Sequence, residues 1–559
     1  MATTAEQLKA DANELFLKGD YEGACLGYAR ALKVDPNNAV LYGNRAQANI
    51  ALKKFLDAVA DASKAVELDP SFCKGWARLA KAEHSLNRYG SSIASCKRAL
   101  AALPEASAMT ETERRLKAQC ETGLKAVERD FESARWQERR GWEDGSRPVN
   151  FKPGGNLPWD RARSVLNQLQ IDREKSAVSS AWVIATAFRE FDQGTQGLKQ
   201  MKRLKKGDED GWQGITGVLR SFTEGILREP RVFHMDGPEW VERYNVQVRF
   251  ECQQFDAWGS GGADVVQEQA LARLHTKGWD NVRPAIRTTL WGWILSGFIT
   301  GGAQRDPVFA LDYYSRAMQI LVWGRTVWKD VHRDDRGSVF EPTFFRGVRR
   351  LFFQSFIEAY MQAPGPDSEY NLDDLYEMAR DYIQDAQSSI PSEANPPPYP
   401  LDPGTVLSYW MYPIAEGHSV LAFVHFRKAM ETTDENEMNI QFEKAARMYV
   451  AAAEGFPVDD EKHAYFLAVA IDAFWHRGTP LEELLPLCKR IRDAIPEMKK
   501  IWEYSQMAHG RDAMLKQALD FEDEYRGKLD RGECKLQDIA RPLVKLHRST
   551  RLWRLLIRL

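Results

Sequence analysis

Five polar side chains in the first eighty residues have the types and spacings of a receptor for a doubly charged anion: Lys9, Asn13, Asn44, Lys74 and Arg78. Lys9 and Asn13 stand four apart, as do Lys74 and Arg78, and that interval puts each pair on one stripe of a helix. Two cations at this spacing repel by roughly 0.2–0.5 kcal/mol, a cost that a purely supporting helix avoids with a neutral residue. Three cations and two amide donors, once brought together, match a group carrying two carboxylates. A peptide ending in Asp offers such a group in its side-chain and terminal carboxylates. The competing reading of the same five residues is a solvated basic face.

Whether they meet depends on the elements that carry them, and these repeat. "AEQLKADANELFLKGDYEGACLGYARALKVDPNN" from Ala5 is followed thirty-four residues on by "AVLYGNRAQANIALKKFLDAVADASKAVELDPSF". A third copy, "CKGWARLAKAEHSLNRYGSSIASCKRALAALP", starts at Cys73. Small residues recur at Ala12, Ala46 and Ala80 and again at Ala31, Ala65 and Ala99, where two helices would cross closely. Pro36, Pro70 and Pro104 close the three units, because proline neither donates to nor continues a helical turn. This pattern is similar to the tetratricopeptide signature of paired antiparallel helices stacked into a right-handed superhelix. In that architecture the first helix of each pair lines the concave groove, so all five side chains are expected there. The charged stretch from Thr110 to Gln137 predicts one long helix capping the open end of the stack.

The segments "KADANELFLKGDYEGA", "LYGNRAQANIAL" and "KGWARLAKAEHSL" resemble the repeats of the dicarboxylate-clamp co-chaperones, the class of the Hsp70/Hsp90-organising protein. That family uses Lys and Asn in its first repeat, Asn in the second, and Lys and Arg in the third. The matching positions are Lys9, Asn13, Asn44, Lys74 and Arg78. The resemblance implies binding to the Glu-Glu-Val-Asp tails of cytosolic heat-shock chaperones of the 70- and 90-kDa classes. It covers about the first 130 residues of the 559. Ala12 stands where Gly is commoner, and Ser92 and Cys96 replace bulkier or apolar residues; none of these is a clamp position.

A net charge of −3 favours neither a nucleic-acid binder nor a membrane-surface protein. Seven scattered cysteines without a Cys-x-x-Cys pair read as reduced intracellular thiols. The start, "MATTAEQLK", has no apolar run of the kind a signal peptide carries, so the setting expected is cytoplasmic.

The expected organisation is an all-α chain: three repeats plus a cap over 1–137, a Gly/Pro-rich linker over 138–159, and a larger helical domain over 160–559. Lys199, Lys202, Arg203, Lys205 and Lys206 precede Asp208, Glu209 and Asp210, which reads as a solvated helix end rather than a nucleic-acid patch. Thr288–Gln304 is uncharged and reads as a buried helix, being at the short limit for a membrane span and holding four glycines. Ala310, Tyr314 and Ala317, and again Ala445, Tyr449 and Ala452 with Pro457 beyond, have the spacing of degenerate tetratricopeptide second helices. "HAYFLAVAIDAFWHRGTPLEELLPLCKRIRDAIP" from His463 predicts a further hairpin. Six prolines from Pro391 to Pro403 mark a loop over 388–404. Pro396 to Tyr399 within it fits the Pro-Pro-x-Tyr ligand of WW domains, a short motif that is common by chance. The stretch from Arg541 to Leu559 alternates Leu and Arg and predicts a final helix that packs its leucines on the preceding repeat, the alternative being a basic amphipathic helix on an anionic membrane or in a partner's groove.

Catalytic motifs are not legible. No His-Glu-x-x-His occurs, and His418 and His425 have no carboxylate or thiolate at ligand spacing. "HRDD" at His332 imitates a kinase loop without the Asn that loop requires. The expectation is an adaptor with neither metal nor cofactor, its C-terminal domain holding a client or second partner. The alternatives are an enzyme in 160–559 that the clamp recruits to chaperones, and a membrane-tethered chaperone receptor.

Overall fold

The computed structural model describes residues 4–86, 88–105, 107–143, 156–169, 178–206, 209–237, 239–259, 261–302, 305–397 and 400–540. The chain divides into two compact units, one of residues 1–147 with 252–289, the other of 148–251 with 290–559. The architecture is all-α, with a single two-stranded ribbon among the described residues.

The first unit opens with three helical hairpins: α1 (Ala5–Leu17) with α2 (Tyr21–Val34), α3 (Ala39–Ala51) with α4 (Phe55–Leu68), and α5 (Cys73–Ser85) with α6 (Tyr89–Ala101). Their starts are written locally. Thr4 and Gln7 form a reciprocal capping box on α1, Asp20 caps α2, and Asn38 accepts from the backbone N–H groups of Val40 and Leu41. The second helices stop at Val34, Leu68 and Ala101, short of the three expected prolines. All six small signpost residues are buried, from Ala12 to Ala99. At Gly27 a Cβ would stand 2.7 Å from that of Ala12, so Gly27 supplies the space that alanine at position 12 takes up. Ser92 is satisfied inside the third hairpin, its hydroxyl donating to the Ala80 carbonyl at 2.7 Å. The long helix α7 (Glu111–Glu143) packs on α6 and α5 and runs past Gln137, where it was expected to stop.

The second unit begins with α8 (Pro158–Leu169) and α9 (Ser180–Lys199). Here one expectation fails. The basic run from Lys202 does not end a helix but forms β1 (Lys202–Lys206), antiparallel to β2 (Glu209–Gln213). The register sets Lys205 opposite Asp210 and Lys206 opposite Glu209.

The chain continues through α10 (Val218–Arg228) and α11 (Trp240–Gln254); the end of α11, all of α12 (Ala263–Lys277) and the start of α13 (Trp279–Gly302) belong to the first unit, and the second resumes at Leu290. As far as Gly302 the uncharged stretch lies in α13 and is largely buried, its last two residues being outside the described ones, and no helix among the described residues is long and apolar enough to cross a membrane. Next come α14 (Pro307–Val327), the single turn α15 (Arg333–Arg336), α16 (Pro342–Tyr360) and α17 (Leu372–Gln387). A proline-rich loop then leads to the single turn α18 (Pro403–Val406); Pro398 and Tyr399 of the WW-type motif lie outside the described residues. After a π-helical turn at Leu407–Met411, α19 (Tyr412–Glu431), α20 (Glu435–Glu454), α21 (Glu461–Arg477), α22 (Leu481–Trp502) and α23 (Ala508–Asp530) complete the unit.

Ala310, Tyr314 and Ala317 on α14 and Ala445, Tyr449 and Ala452 on α20 are all buried, as repeat-type second helices require. The hairpin expected from His463 is α21 with α22. Helix α21 is buried almost all round and serves as a central rod that α20, α22 and α23 cover. The expected final helix over 541–559 lies outside the described residues.

Candidate carboxylate-binding groove

The five residues singled out by spacing fall on α1, α3 and α5, the first helices of the three hairpins. Three of them are joined by hydrogen bonds. Asn44 donates from Nδ2 to Asn13 Oδ1 at 3.3 Å, and Arg78 donates from Nη1 to Asn44 Oδ1 at 3.2 Å. Residues sixty-five positions apart in the chain are thus linked through one amide (78 less 13).

The fourth member of this chain is a residue that spacing did not reveal. Tyr28 on α2 is 2% exposed and donates its hydroxyl to Asn13 Oδ1 at 2.7 Å. With Oδ1 accepting from both Tyr28 and Asn44, the Asn13 carboxamide is fixed in orientation and presents its NH2 on the opposite edge. Burial pushes the Tyr28 phenol up, while the charge of Arg78 pulls it down. Tyr28 belongs to a second helix, where sequence assigns it only a packing role, so nothing local marks it.

Arg78 reaches its place because position 43 has no side chain. A Cβ on Gly43 would lie 2.9 Å from Arg78 Nη1 and 2.6 Å from Cε1 of Phe72. Burial lowers the Arg78 guanidinium from its ordinary value, and the Tyr28 phenol offsets this only in part. One guanidinium N–H is engaged by Asn44; Arg carries five such donors in a fork suited to carboxylate.

The two lysines are arranged differently. Lys74 is exposed one turn before Arg78, with no carboxylate of the described residues at ion-pair distance. Lys9 is one turn before Asn13, its side chain 24% exposed, and pairs with Glu6 at 2.6 Å. Glu6 is itself 72% exposed, and an exposed i,i+3 pair of this kind contributes at most about 1 kcal/mol. Asn13, Asn44 and Arg78 are therefore brought into contact; Lys9 and Lys74 share their helix faces without touching the trio.

Just behind the groove a second network holds α3 to its partners. Arg45 grips Asp61 with both Nε and Nη2, at 2.9 and 2.6 Å, and Asn49 donates to the same carboxylate at 3.0 Å. Cys25 closes the set, Sγ to Asn49 Oδ1 at 3.4 Å, and burial pushes its thiol up to about 11. This cysteine is a packing residue, not a nucleophile.

The tetratricopeptide repeat family model matches residues 39–72. Small glutamine-rich tetratricopeptide repeat-containing protein 2 of Saccharomyces cerevisiae is 34% identical over 131 residues, 23% of this chain and 33% of that protein. The Hsp70-Hsp90 organizing protein of Triticum aestivum is 38% identical over 100 residues, 18% of this chain and 17% of that protein. Among solved structures, the first tetratricopeptide domain of Spaghetti (RPAP3), bound to the HSP90 peptide SRMEEVD, is 27% identical. It covers 24% of this chain and 96% of that one, with a TM-score of 0.21. The chain spans a third or less of the length of these curated relatives. Its N-terminal segment thus resembles the tetratricopeptide segments of these proteins.

Proposed function

We propose that the first unit is a receptor for peptide C-termini ending in Asp, and that the chain is a chaperone adaptor without catalytic activity of its own. The observation that carries this reading is the chain Tyr28–Asn13–Asn44–Arg78, which uses protein hydrogen bonds to fix two amides and a guanidinium that no carboxylate of the described residues pairs. A dicarboxylate supplies what is missing: Lys9, Lys74 and Arg78 contribute three positive charges, Asn13 and Asn44 contribute donors, and the ligand brings two negative charges. Glu6 holds Lys9 only through an exposed pair, so exchanging it for a ligand carboxylate costs little.

The relatives support the identity of the ligand. The solved tetratricopeptide domain of Spaghetti (RPAP3) carries a chaperone peptide ending in Glu-Val-Asp. By this reading the partners here are the Glu-Glu-Val-Asp tails of cytosolic heat-shock chaperones, the setting is cytoplasmic, and the second unit engages a client or further partner. The domain boundaries carried with it are 1–137, 138–159 and 160–559.

The test is a peptide ending in Glu-Glu-Val-Asp titrated against the full chain, as free acid and as C-terminal amide. The free acid is expected to bind with roughly micromolar affinity, about −8 kcal/mol. The amide, which lacks one of the two charges, is expected to lose most of it. Equal affinity for the two forms would overturn the reading.

A further inference from the structure

The second unit matches its buried charges with care. Arg231 binds Glu229 and Asp460 at 2.8 Å each and reaches Glu461 at 3.2 Å; Arg511 meets the other Glu461 oxygen at 2.8 Å. Arg350 and Lys462 share Glu416 Oε1, at 2.6 and 2.9 Å. Four cations face four carboxylates. Where α14, α15 and α16 come together, the matching is one acid short.

Four arginines belong to that junction. Arg346 donates from Nε to Asp385 Oδ2 at 2.6 Å, and its other nitrogens go to the carbonyls of Asp385 and Tyr409. Arg349 meets Asp381 at 2.9 Å and the Met378 carbonyl at 2.7 Å. Arg336 reaches Glu341 at 3.2 Å, and its Nε is buried with no acceptor. Arg325, near the end of α14, has neither an ion pair nor a hydrogen bond with any of the described residues.

Packing fixes where Arg325 stands. A Cβ on Gly324 would collide with the Phe340 ring, so the last turn of α14 lies hard against the start of α16. Arg325 is thereby set over the Phe345 ring, its Cζ 5.1 Å from the centroid, and Arg349 Cζ lies 5.7 Å from the same centroid. Phe345 is one turn on from Glu341, the partner of Arg336, whose carbonyl accepts from the Phe345 N–H at 3.3 Å. Ring and guanidinium are both half-buried and keep an opening to solvent. Burial lowers the Arg325 guanidinium; the charge of Asp385 raises it, and those of Arg346 and Arg336 lower it further.

An aromatic face positions a guanidinium without accepting any of its five N–H donors through a lone pair. The free fork suits an oxyanion held by two parallel hydrogen bonds. Its surroundings narrow the choice. Val322, one turn earlier on the same face of α14, is 53% exposed, and Val327, which ends the helix, is 48% exposed. A free inorganic anion makes no use of exposed valines, whereas a peptide carboxylate with apolar neighbours covers them.

We propose that Arg325, with Phe345 and Val322 beside it, docks an acidic side chain that is flanked by apolar ones on a partner peptide. This gives a chemistry to the further partner of the second unit and rests on the reading that such a partner exists. It shares no residue with the carboxylate groove, since all three residues belong to the second unit.

The experiment uses the full chain and ligand-observed NMR titration. Its probes are an end-blocked Ala-Leu-Glu-Leu-Ala peptide, the same peptide with Gln for Glu, and inorganic phosphate. Blocked ends leave no terminal carboxylate for the groove of the first unit. The Glu peptide is expected to bind at least about tenfold more tightly than the Gln peptide, the size of one charge-assisted hydrogen bond. Arg325→Gln is expected to remove that difference, and Lys74→Ala/Arg78→Ala to leave it intact. Glu and Gln peptides that bind alike, or a difference that survives Arg325→Gln, overturn the proposal. A difference lost in Lys74→Ala/Arg78→Ala also overturns it, by placing the peptide in the groove. Phosphate that binds as tightly as the Glu peptide overturns it in favour of a free-anion site. Should Arg325→Gln fail to fold, Val322→Ser at an exposed position decides: unchanged affinity for the Glu peptide again overturns it.

Discussion

The two units handle charge in opposite ways. In the first, Arg78 is lowered by burial with no carboxylate of the described residues paired to it, Lys74 is exposed, and Lys9 has only an exposed partner. In the second, Glu229 has no exposure at all, yet it stays ionised. Burial alone would raise it, but Arg231, Arg350 and Lys462 hold it well below the usual carboxylate range. The chain thus contains both solutions to the same electrostatic problem. Where the protein supplies the counter-charge, the group holds structure. Where it withholds the counter-charge and directs hydrogen bonds to geometry instead, the group waits for something from outside.

Removing one partner of the compensated network is the harshest way to break this comparison. Arg231→Met leaves Glu229 and Asp460 buried beside each other without their main cation, and also takes the guanidinium off the Trp502 ring, 3.8 Å away. A loss of about 3–5 kcal/mol is expected, read as a lower denaturation midpoint of the full chain. A loss under about 1 kcal/mol would show that the network is not what holds these helices.

The groove is expected to answer the other way. Lys74→Ala/Arg78→Ala should cost about 2–4 kcal/mol of peptide binding, roughly thirty- to a thousandfold, while the melting temperature stays within about a degree or two or rises. That split between affinity and stability is the signature of charge kept for a ligand. If melting temperature falls as far as it does for Arg231→Met, these cations are structural after all.

The smallest effect is a pH dependence at Asp472. Its carboxyl is raised to about 6, against about 4 in the unfolded chain. Between those values the folded state holds a proton that the unfolded state has released, so stability is lost as pH rises through the window. At about 1.4 kcal/mol per unit the total is of order 2–3 kcal/mol. The melting temperature of Asp472→Asn relative to the native chain should therefore climb from pH 4 to pH 6 and level off above. A constant difference across that range would show a solvated carboxyl.

Much of the first unit was legible in the chain itself, for a physical reason. Its contacts are local or fall between neighbouring copies, so a period of thirty-four residues is enough to place Ala12, Ala46 and Ala80 at helix crossings and Pro36, Pro70 and Pro104 beyond helix ends. The i,i+4 spacing alone put Lys9 with Asn13 and Lys74 with Arg78. It could not show that Tyr28, from the second helix of the first hairpin, orients Asn13, nor that the empty place at Gly43 admits Arg78. Both depend on how helices from different repeats approach.

In the second unit the balance reverses. Spacing recovered the buried positions of α14 and α20, because a repeat-type helix shows its small residues along its own length. The strand pairing of Lys202–Lys206 went unread because a run of like charges reads as solvated whatever backbone it adopts. The ion network joins Glu229 and Arg231 to Asp460 and Glu461 across more than two hundred residues of chain, and each of these looks like a surface charge in sequence. Which charges are compensated is a property of three-dimensional neighbours and burial. Residue types and their periods are written along the chain, and only tertiary structure decides which charge meets which.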